Sequence, residues 1–186
     1  IDGDLSMTHT IIHANIDKSA PPLGGMNTDL TLRVVGRNEN GVIVRGGKVL
    51  ATLGPIADEL YVYCSAPVPS GAEEYALIFS IPTNTKGVIQ ICRDHYGRDM
   101  SVEDAPFSSR FDEQDAFVIF DDVEVPYERL FCNGDLNVYN NLNAGVSPGN
   151  TLQQTSIRAM VKLEFAYDLC TQIAKITNCE NQPHVA

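Results

Sequence analysis

The sequence lacks several features that would identify common classes of protein. It has no Cys-x-x-Cys pair among its five cysteines, and no uninterrupted apolar run is long enough to cross a bilayer. Lysine and arginine are scarce: there are 13 of them against 24 aspartates and glutamates, a formal net charge of -11. These absences argue against a zinc knuckle or redox pair, a membrane-spanning helix, and a surface that binds nucleic acid or anionic lipid.

A glycine-rich phosphate motif is also absent. The glycine pairs Gly24-Gly25 and Gly46-Gly47 are isolated, and neither opens a helical pattern. A Rossmann-type NAD site is therefore not supported. The cysteines are odd in number and widely scattered, which is typical of reduced thiols and predicts a cytoplasmic protein.

The residues that are present predict a globular, mainly β domain. Hydrophobic residues make up 44% of the 186 positions, enough for one good core. Because short segments with β-branched residues recur without intervening helical patterns, we expect a β-sandwich or β-barrel from about residue 5 to 129. The predicted strands are 5–16, 30–35, 42–44, 60–63, 75–81 and 88–92, with a hairpin turn at 38–41 and a break at Gly46-Gly47.

A further predicted strand lies within residues 111–131 and contains an acidic bend. Before the bend, Phe117 and Ile119 alternate with neighbours that we expect to be more exposed, and after it Val123 and Val125 do the same. We interpret the Asp121-Asp122 pair as the point where this strand passes from one sheet to another. Pro126 then removes a backbone donor and ends the strand.

The character of the chain changes after Phe131. Residues 137–149 are rich in Asn, Gly and Ser, which is typical of a linker or an active-site loop. From 151 to 177, apolar residues at steps of three and four predict a long amphipathic helix: Ile157, Val161, Phe165, Leu169, Ile173 and Ile176. One helix cannot bury this stripe alone, so we expect a fragment of a longer chain that packs on further helices or on another subunit.

Two histidines stand in the first predicted strand. Side chains repeat every two residues along a strand, so His9, Ile11 and His13 are expected to share one face. No carboxylate or cysteine nearby completes a metal site, and we predict no metal. The interpretations that remain are an active-site histidine or a structural one.

Four segments, taken in order, carry a family resemblance: Met7-Thr8-His9 with His13-Ala14-Asn15-Ile16-Asp17-Lys18; Gly46-Gly47-Lys48-x-x-Ala51-Thr52 with Ala57-Asp58-Glu59 and Tyr63-Cys64-Ser65; 120–130; and 157–165. Together they resemble the two-component flavin monooxygenases typified by the oxygenase component of 4-hydroxyphenylacetate 3-monooxygenase. The resemblance implies an acyl-CoA dehydrogenase-like architecture. Residues 1–134 would be its middle β domain, 135–150 a linker, and 151–186 the start of a C-terminal helical bundle that assembles a homotetramer.

The resemblance also implies a reaction and a set of site residues. Reduced FAD from a separate flavin reductase would react with O₂ to form a C4a-hydroperoxide, which ortho-hydroxylates a phenol such as 4-hydroxyphenylacetate. His9 would be catalytic and would contact both flavin and phenol oxygen, since an imidazole titrates in a useful range. The residues expected to hold FAD are His9, Thr10, Asn15, Asp17, Lys18 and Thr52, and Ser65 would lie beside the substrate.

Departures from the family pattern leave alternatives open. Ala14-Asn15 replaces Pro-Gln, and Ser65-Ala66 replaces Ser-Thr. Thr52 could be an ordinary β-sheet threonine, and Ser65 a hydroxyl at the end of a loop. A 4-hydroxybutyryl-CoA dehydratase would need a histidine near the start of the C-terminal helices, and 151–170 contains none. Two further alternative functions remain open: an acyl-CoA dehydrogenase-like flavoenzyme and a non-enzymatic β-sandwich binding module.

Overall fold

The structure, a computed structural model, describes residues 3–13, 30–63, 67–145 and 147–183. It confirms a mainly β chain that ends in a long helix. Two compact units divide it, Ile1–Asn140 and Asn141–Ala186. The elements within the described ranges are β1 Met7–His13, β2 Arg33–Arg37, β3 Gly41–Thr52, β4 Glu59–Val62, β5 Leu77–Pro82, β6 Val88–Cys92, β7 Asp115–Pro126, β8 Leu130–Asn133, α1 Leu136–Gly145 and α2 Ser147–Ile176.

These strands form one hydrogen-bonded sheet in the order β6-β7-β3-β1-β4-β5-β8, with β2 added beside β3. The ladders between named strands are antiparallel except that of β1 with β4, which is parallel. Strand β1 therefore lies at the centre of the sheet and is paired on both sides. Between the described strands β6 and β8 there is no ladder, so the sheet is not closed.

The sheet curls around a single apolar core. Phe79 of β5 and Phe120 of β7 have three strands between them, yet their ring centroids are 5.8 Å apart in an edge-to-face contact. The face that encloses the core is called the inner face below, and the opposite one the outer face. The core residues are Leu32, Val42, Val44, Ala51, Leu60, Val62, Leu77, Phe79, Ile81, Val118, Phe120, Val123 and Val125.

The burial pattern of β7 corrects the prediction for its first half. Ala116, Val118 and Phe120 are buried, whereas Phe117 is 38% exposed and Ile119 is only half-buried. The prediction had the phase reversed, because Phe117 and Ile119 are as apolar as the residues between them. Hydrophobicity alone could not choose between the two faces of this strand.

A β-bulge explains why the second half of β7 was predicted correctly. Asp121 and Asp122 are both exposed, and Asp122 has a left-handed backbone with φ 51. This extra residue returns Val123 and Val125 to the inner face. β7 stays paired with β3 on both sides of the bulge. The prediction that this strand passes from one sheet to another is therefore wrong.

Gly46 lies in β3, which runs through the glycine pair where the sequence predicted a break. Its φ is +124, and a Cβ atom built there would be 2.4 Å from the Thr31 carbonyl carbon. Only glycine fits such a close approach of two backbones. Beside it, Arg45 Nε donates to Asp122 Oδ1 at 2.7 Å, which ties β3 to the bulge and lowers the pKa of that carboxyl.

Residues 137–149, predicted to be a linker or loop, are helical where they are described. Asp135 caps α1: its carboxylate accepts a hydrogen bond from the Val138 backbone N–H at 2.9 Å. Tyr139, one turn into the helix, is buried. Capping and burial together outweigh the low helix propensity of the asparagines and glycine in this segment.

Helix α2 confirms the predicted long helix and begins four residues earlier than expected. The residues of its predicted apolar stripe are between 49% and 78% exposed: Ile157, Val161, Phe165, Leu169, Ile173 and Ile176. This helix therefore carries a large apolar surface that remains accessible. Among the described residues, neither helix has both the length and the apolar character of a bilayer-spanning segment.

An ion pair joins two of the sequence motifs. Glu59 of β4 is 9% exposed, and its two carboxylate oxygens accept hydrogen bonds from Arg129 Nη1 at 3.2 and 3.0 Å. Ser80 of β5 donates to the same carboxylate at 3.1 Å. Arg129, in the 3-10 helix Tyr127–Arg129, thus connects the end of β7 to β4 and β5.

We expect Arg129→Ala to destabilise the protein by about 1 to 3 kcal/mol, because it leaves the nearly buried Glu59 carboxylate without its cation. The matched control is Arg45→Ala, since Arg45 and Asp122 are both about half exposed and such solvent-screened pairs contribute little to stability. The measurement is the shift in denaturant midpoint of the full-length protein. Equal shifts for the two variants would contradict a structural role for the Arg129 pair.

Candidate functional site

His9 lies on the outer face of the central strand β1. Its neighbours Thr8 and Thr10 are buried on the inner face, and the alternation of the strand turns the His9 side chain outward, where it is exposed. The parallel ladder pairs His9 with Tyr61 of β4. On the other side, extending the antiparallel β1–β3 register by one residue sets Thr52 across from His9. The structure therefore places His9 and Thr52 on neighbouring strands at the same register position.

Three aromatic side chains accompany His9 on this face. The His9 ring contacts Tyr63 edge-to-face at 5.9 Å between centroids, and Tyr63 stacks on Tyr61 at 5.2 Å. Tyr61 in turn contacts Phe131 of β8 at 6.0 Å. These four residues form the aromatic row. Because the row extends from β1 to β8 and Phe131 is exposed, it offers an accessible surface of aromatic rings with one imidazole at its end.

Sequence reasoning missed most of the aromatic row. Tyr61 and Tyr63 are two residues apart in a predicted strand, and this spacing alone indicates that their rings share a face. Phe131 belongs to a strand far away in sequence. Only the order of strands in the sheet brings Phe131 to Tyr61.

Thr52 lies at the end of β3 and is tied to β1. The Thr8 hydroxyl donates a hydrogen bond to the Thr52 carbonyl oxygen. Thr52 also lines a shallow pocket of about 140 Å³ with Ser6, Met7, Thr8, Leu53, Ile56 and Ala57. A small depression thus lies beside Thr52 at the end of β3.

The other predicted site residues either lie away from the outer face or fall outside the residues that the structure describes. Thr10 is completely buried on the inner face, and its hydroxyl has no hydrogen-bond partner among the described residues. The structure therefore separates the Thr10 side chain from His9 and Thr52. Four further predicted residues lie outside the described residues: Asn15, Asp17, Lys18 and Ser65.

The parallel pairing of β1 and β4 relates two of the sequence motifs. Both strands run in the same direction, and their ladder ends at Thr10 and Val62. The chain therefore leaves β1 after His13 and β4 after Tyr63 at the same edge of the sheet. The motif residues 14–18 and 64–66 follow directly from these two strand ends.

His13 does not share a face with His9, contrary to the prediction. It pairs with Lys48, and Lys48 pairs with the core residue Val118, so His13 is buried on the inner side. Burial, with a smaller contribution from the Lys48 charge, lowers the pKa of His13 to about 3. In the part of the chain that the structure describes, no three His, Cys, Asp or Glu side chains are arranged to hold a metal ion.

The buried His13 predicts a pH-dependent stability. Its pKa is about 3 in the folded chain and 6.5 ordinarily, so between these values the unfolded chain binds a proton that the folded chain does not. The contribution of His13 to stability is fully present above pH 6.5. It decreases as the pH falls towards 3, by at most about 1.4 kcal/mol per pH unit. The measurement is the free energy of unfolding of wild type and of His13→Gln, by denaturation at pH 7.5 and 4.5. Between the two pH values, we expect the wild type to lose more stability than the variant. An unchanged difference would contradict the burial of a neutral His13.

Comparison with known proteins relates this geometry to one family. A family model described as "4-hydroxyphenylacetate 3-hydroxylase N terminal" matches residues 1–132. The oxygenase component of 4-hydroxyphenylacetate 3-monooxygenase from Thermus thermophilus is 39% identical over 149 residues, 80% of this chain and 31% of that protein. The chain spans about a third of the length of the curated relatives that it matches.

Solved structures agree with this relationship. A crystal structure of an oxygenase component of 4-hydroxyphenylacetate 3-monooxygenase has a TM-score of 0.84 and 33% identity, over 99% of this chain and 38% of that one. A structure of such a component complexed with FAD and 4-hydroxyphenylacetate has a TM-score of 0.69 and 40% identity, over 77% of this chain and 30% of that one. The shared fold therefore includes the sheet that carries the aromatic row.

Proposed function

Because the chain belongs to the 4-hydroxyphenylacetate 3-hydroxylase family, we propose that it is part of the oxygenase of a two-component flavin monooxygenase. The reaction would be the ortho-hydroxylation of a phenol such as 4-hydroxyphenylacetate, with reduced FAD delivered by a separate reductase. A similar solved structure is named as containing FAD and 4-hydroxyphenylacetate. The observation in this chain that carries the proposal is the exposed His9 within the aromatic row.

The finer description of the fold is part of the proposal. We propose that the curled sheet is the sandwich-like middle domain of an acyl-CoA dehydrogenase-like fold, which the contact between Phe79 and Phe120 supports. The proposed divisions remain 1–134, 135–150 and 151–186, with α1 within the second. The exposed apolar stripe of α2 supports assembly into a homo-oligomer, proposed to be a tetramer. The cytoplasmic location stays a prediction.

The outer face offers chemical groups suited to contact with a flavin ring system. When bound, reduced FAD supplies the activation of O₂, chemistry that side chains do not provide. The aromatic row offers flat apolar contact, and the His9 imidazole and Thr52 hydroxyl offer hydrogen bonds on the same side of the sheet. The Thr10 hydroxyl is left out of this set because it is buried on the inner face.

His9 is proposed to act on the phenol. One imidazole nitrogen would accept the proton of the phenol O–H through a hydrogen bond, which increases electron density on the ring carbon that is hydroxylated. Tyr63, in contact with the His9 ring, would limit the orientations that the imidazole adopts. The residues that follow the two parallel strand ends would complete the site: Asn15, Asp17 and Lys18 toward the cofactor and Ser65 toward the substrate.

The test uses the full-length protein that contains this chain. It is mixed with FAD, a flavin reductase, NADH and 4-hydroxyphenylacetate, and the products are separated by chromatography. We expect a catechol that appears only when all components are present. If a panel of phenols yields hydrogen peroxide and no hydroxylated product, the proposed reaction is wrong, and a non-enzymatic binding module would predict no reductase dependence of any kind.

A further inference from the structure

Lys48 is buried in the sheet and has no part in the proposed chemistry. It belongs to the Gly46-Gly47-Lys48 motif, is 2% exposed, and pairs with Val118 of the core on one side and His13 on the other. A buried ammonium group is costly unless its protons are satisfied by acceptors. The groups that accept hydrogen bonds from Lys48 indicate its role.

The ammonium group bridges the two parallel strands. Lys48 Nζ donates to the Ile11 carbonyl of β1 at 2.8 Å and to the Tyr63 carbonyl at the end of β4 at 3.4 Å. The ladder between these strands ends at Thr10 and Val62, and the next backbone hydrogen bond, Tyr63 N–H to the Thr10 carbonyl, is long at 3.4 Å. Lys48 therefore connects β1 and β4 just where their backbone pairing ends.

Both carbonyls that Lys48 holds belong to residues that are connected to His9. Ile11 lies two residues after His9 in the same strand, and the Tyr63 side chain is the ring that contacts the imidazole. A change in the spacing of these strands beyond the ladder would alter the Tyr63–His9 contact. The same change would move the starting points of the chain segments that follow both strands.

We propose that Lys48 is a positioning residue: it fixes the spacing of β1 and β4 at their carboxyl ends and thereby the orientation of Tyr63 against His9. The catalytic meaning of this role rests on the proposed function, while the structural role does not. Lysine suits it because its ammonium is a compact charge with three donors on a long apolar stem. A neutral side chain of similar length fills the same space and leaves the two carbonyls without this donor.

The test compares Lys48→Met with Lys86→Met in the full-length protein at pH 8, a pH at which His13 is neutral. Lys86 is an exposed lysine in the turn before β6, so its variant removes a charge without touching the parallel strands. Hydrogen–deuterium exchange is measured without flavin, on peptides from 11–18 and 60–68 and on a β7 peptide, 116–125. The coupling of NADH consumption to catechol formation is measured separately in the reconstituted system.

We expect Lys48→Met to increase exchange at least threefold in the two strand-end peptides and to leave the β7 peptide unchanged, with coupling reduced at least threefold. Equal acceleration in all three peptides would indicate general destabilisation and overturn the proposal, as would wild-type exchange at the strand ends. If Lys48→Met does not fold, Lys48→Leu, which also lacks a donor, is judged by the same criteria. Failure of wild type to hydroxylate any phenol would reject the proposed function alone, because the exchange result does not depend on turnover.

Discussion

Replacement of His9 by alanine is expected to reduce phenol hydroxylation by about two orders of magnitude while reduced flavin continues to consume oxygen. General acid–base groups contribute about 10²- to 10⁴-fold, and His9 is the imidazole on the exposed outer face of β1. Without it, the aromatic row lacks the imidazole that is proposed to accept the phenol proton, and the activated oxygen is expected to be released as hydrogen peroxide. The measurement is the ratio of catechol to hydrogen peroxide per NADH consumed by the full-length protein.

His95→Ala is the control for this experiment. His95 lies in the loop after β6 and accepts a hydrogen bond from the Gly97 backbone N–H, so it stands outside the aromatic row. Its variant should retain the product ratio of the wild type. A His9→Ala protein that remains fully coupled would show that His9 has no part in the reaction, and the aromatic row would then need another interpretation.

The second large effect concerns the core: Phe120→Ala should lower stability by about 3 to 5 kcal/mol. Phe120 is completely buried and its ring meets Phe79 from the far side of the curled sheet, so truncation removes apolar burial and leaves a cavity. The quantity to measure is the unfolding midpoint of the full-length protein in denaturant, converted to free energy with the slope of the transition.

Phe117→Ala provides a control in the same strand with the same chemical change. Phe117 is on the outer face and 38% exposed, so its truncation should cost clearly less than that of Phe120. The sequence pattern alone predicted the opposite order, since it assigned Phe117 to the core. If Phe117→Ala lost more stability than Phe120→Ala, Phe117 would be the residue that faces the core. The assignment of inner and outer faces along β7, and of its bulge, would then be wrong.

The hairpin turn at 38–41 illustrates what could be predicted locally. Asn38 accepts hydrogen bonds through its side-chain oxygen from the backbone of Asn40 and Gly41, both at 2.9 Å. Such turn chemistry depends on a few adjacent residues, so the printed sequence contains it in full. The strand at Val88–Cys92 and the long helix were predicted for the same reason.

The predictions from sequence were wrong where contacts with distant segments determine the local structure. Gly46 was expected to end a strand, but it continues β3 because the backbone of Thr31 passes against it. The phase of β7 depended on a bulge opposite that same glycine region. The segment after Gly134 became a helix because Asp135 caps it and Tyr139 is buried.

By itself the sequence determined the class of fold, the family, and His9 as the candidate catalytic group, because alternation, turn residues and short motifs are local properties of the chain. Tertiary structure alone decided that β1 and β4 are parallel neighbours, that Thr10 is buried, and that Tyr63, Tyr61 and Phe131 form a row with His9. It also gave Lys48 its two carbonyl partners. The physical reason is that strand order and register are chosen by the packing of the whole core, which residues far apart in the chain determine jointly.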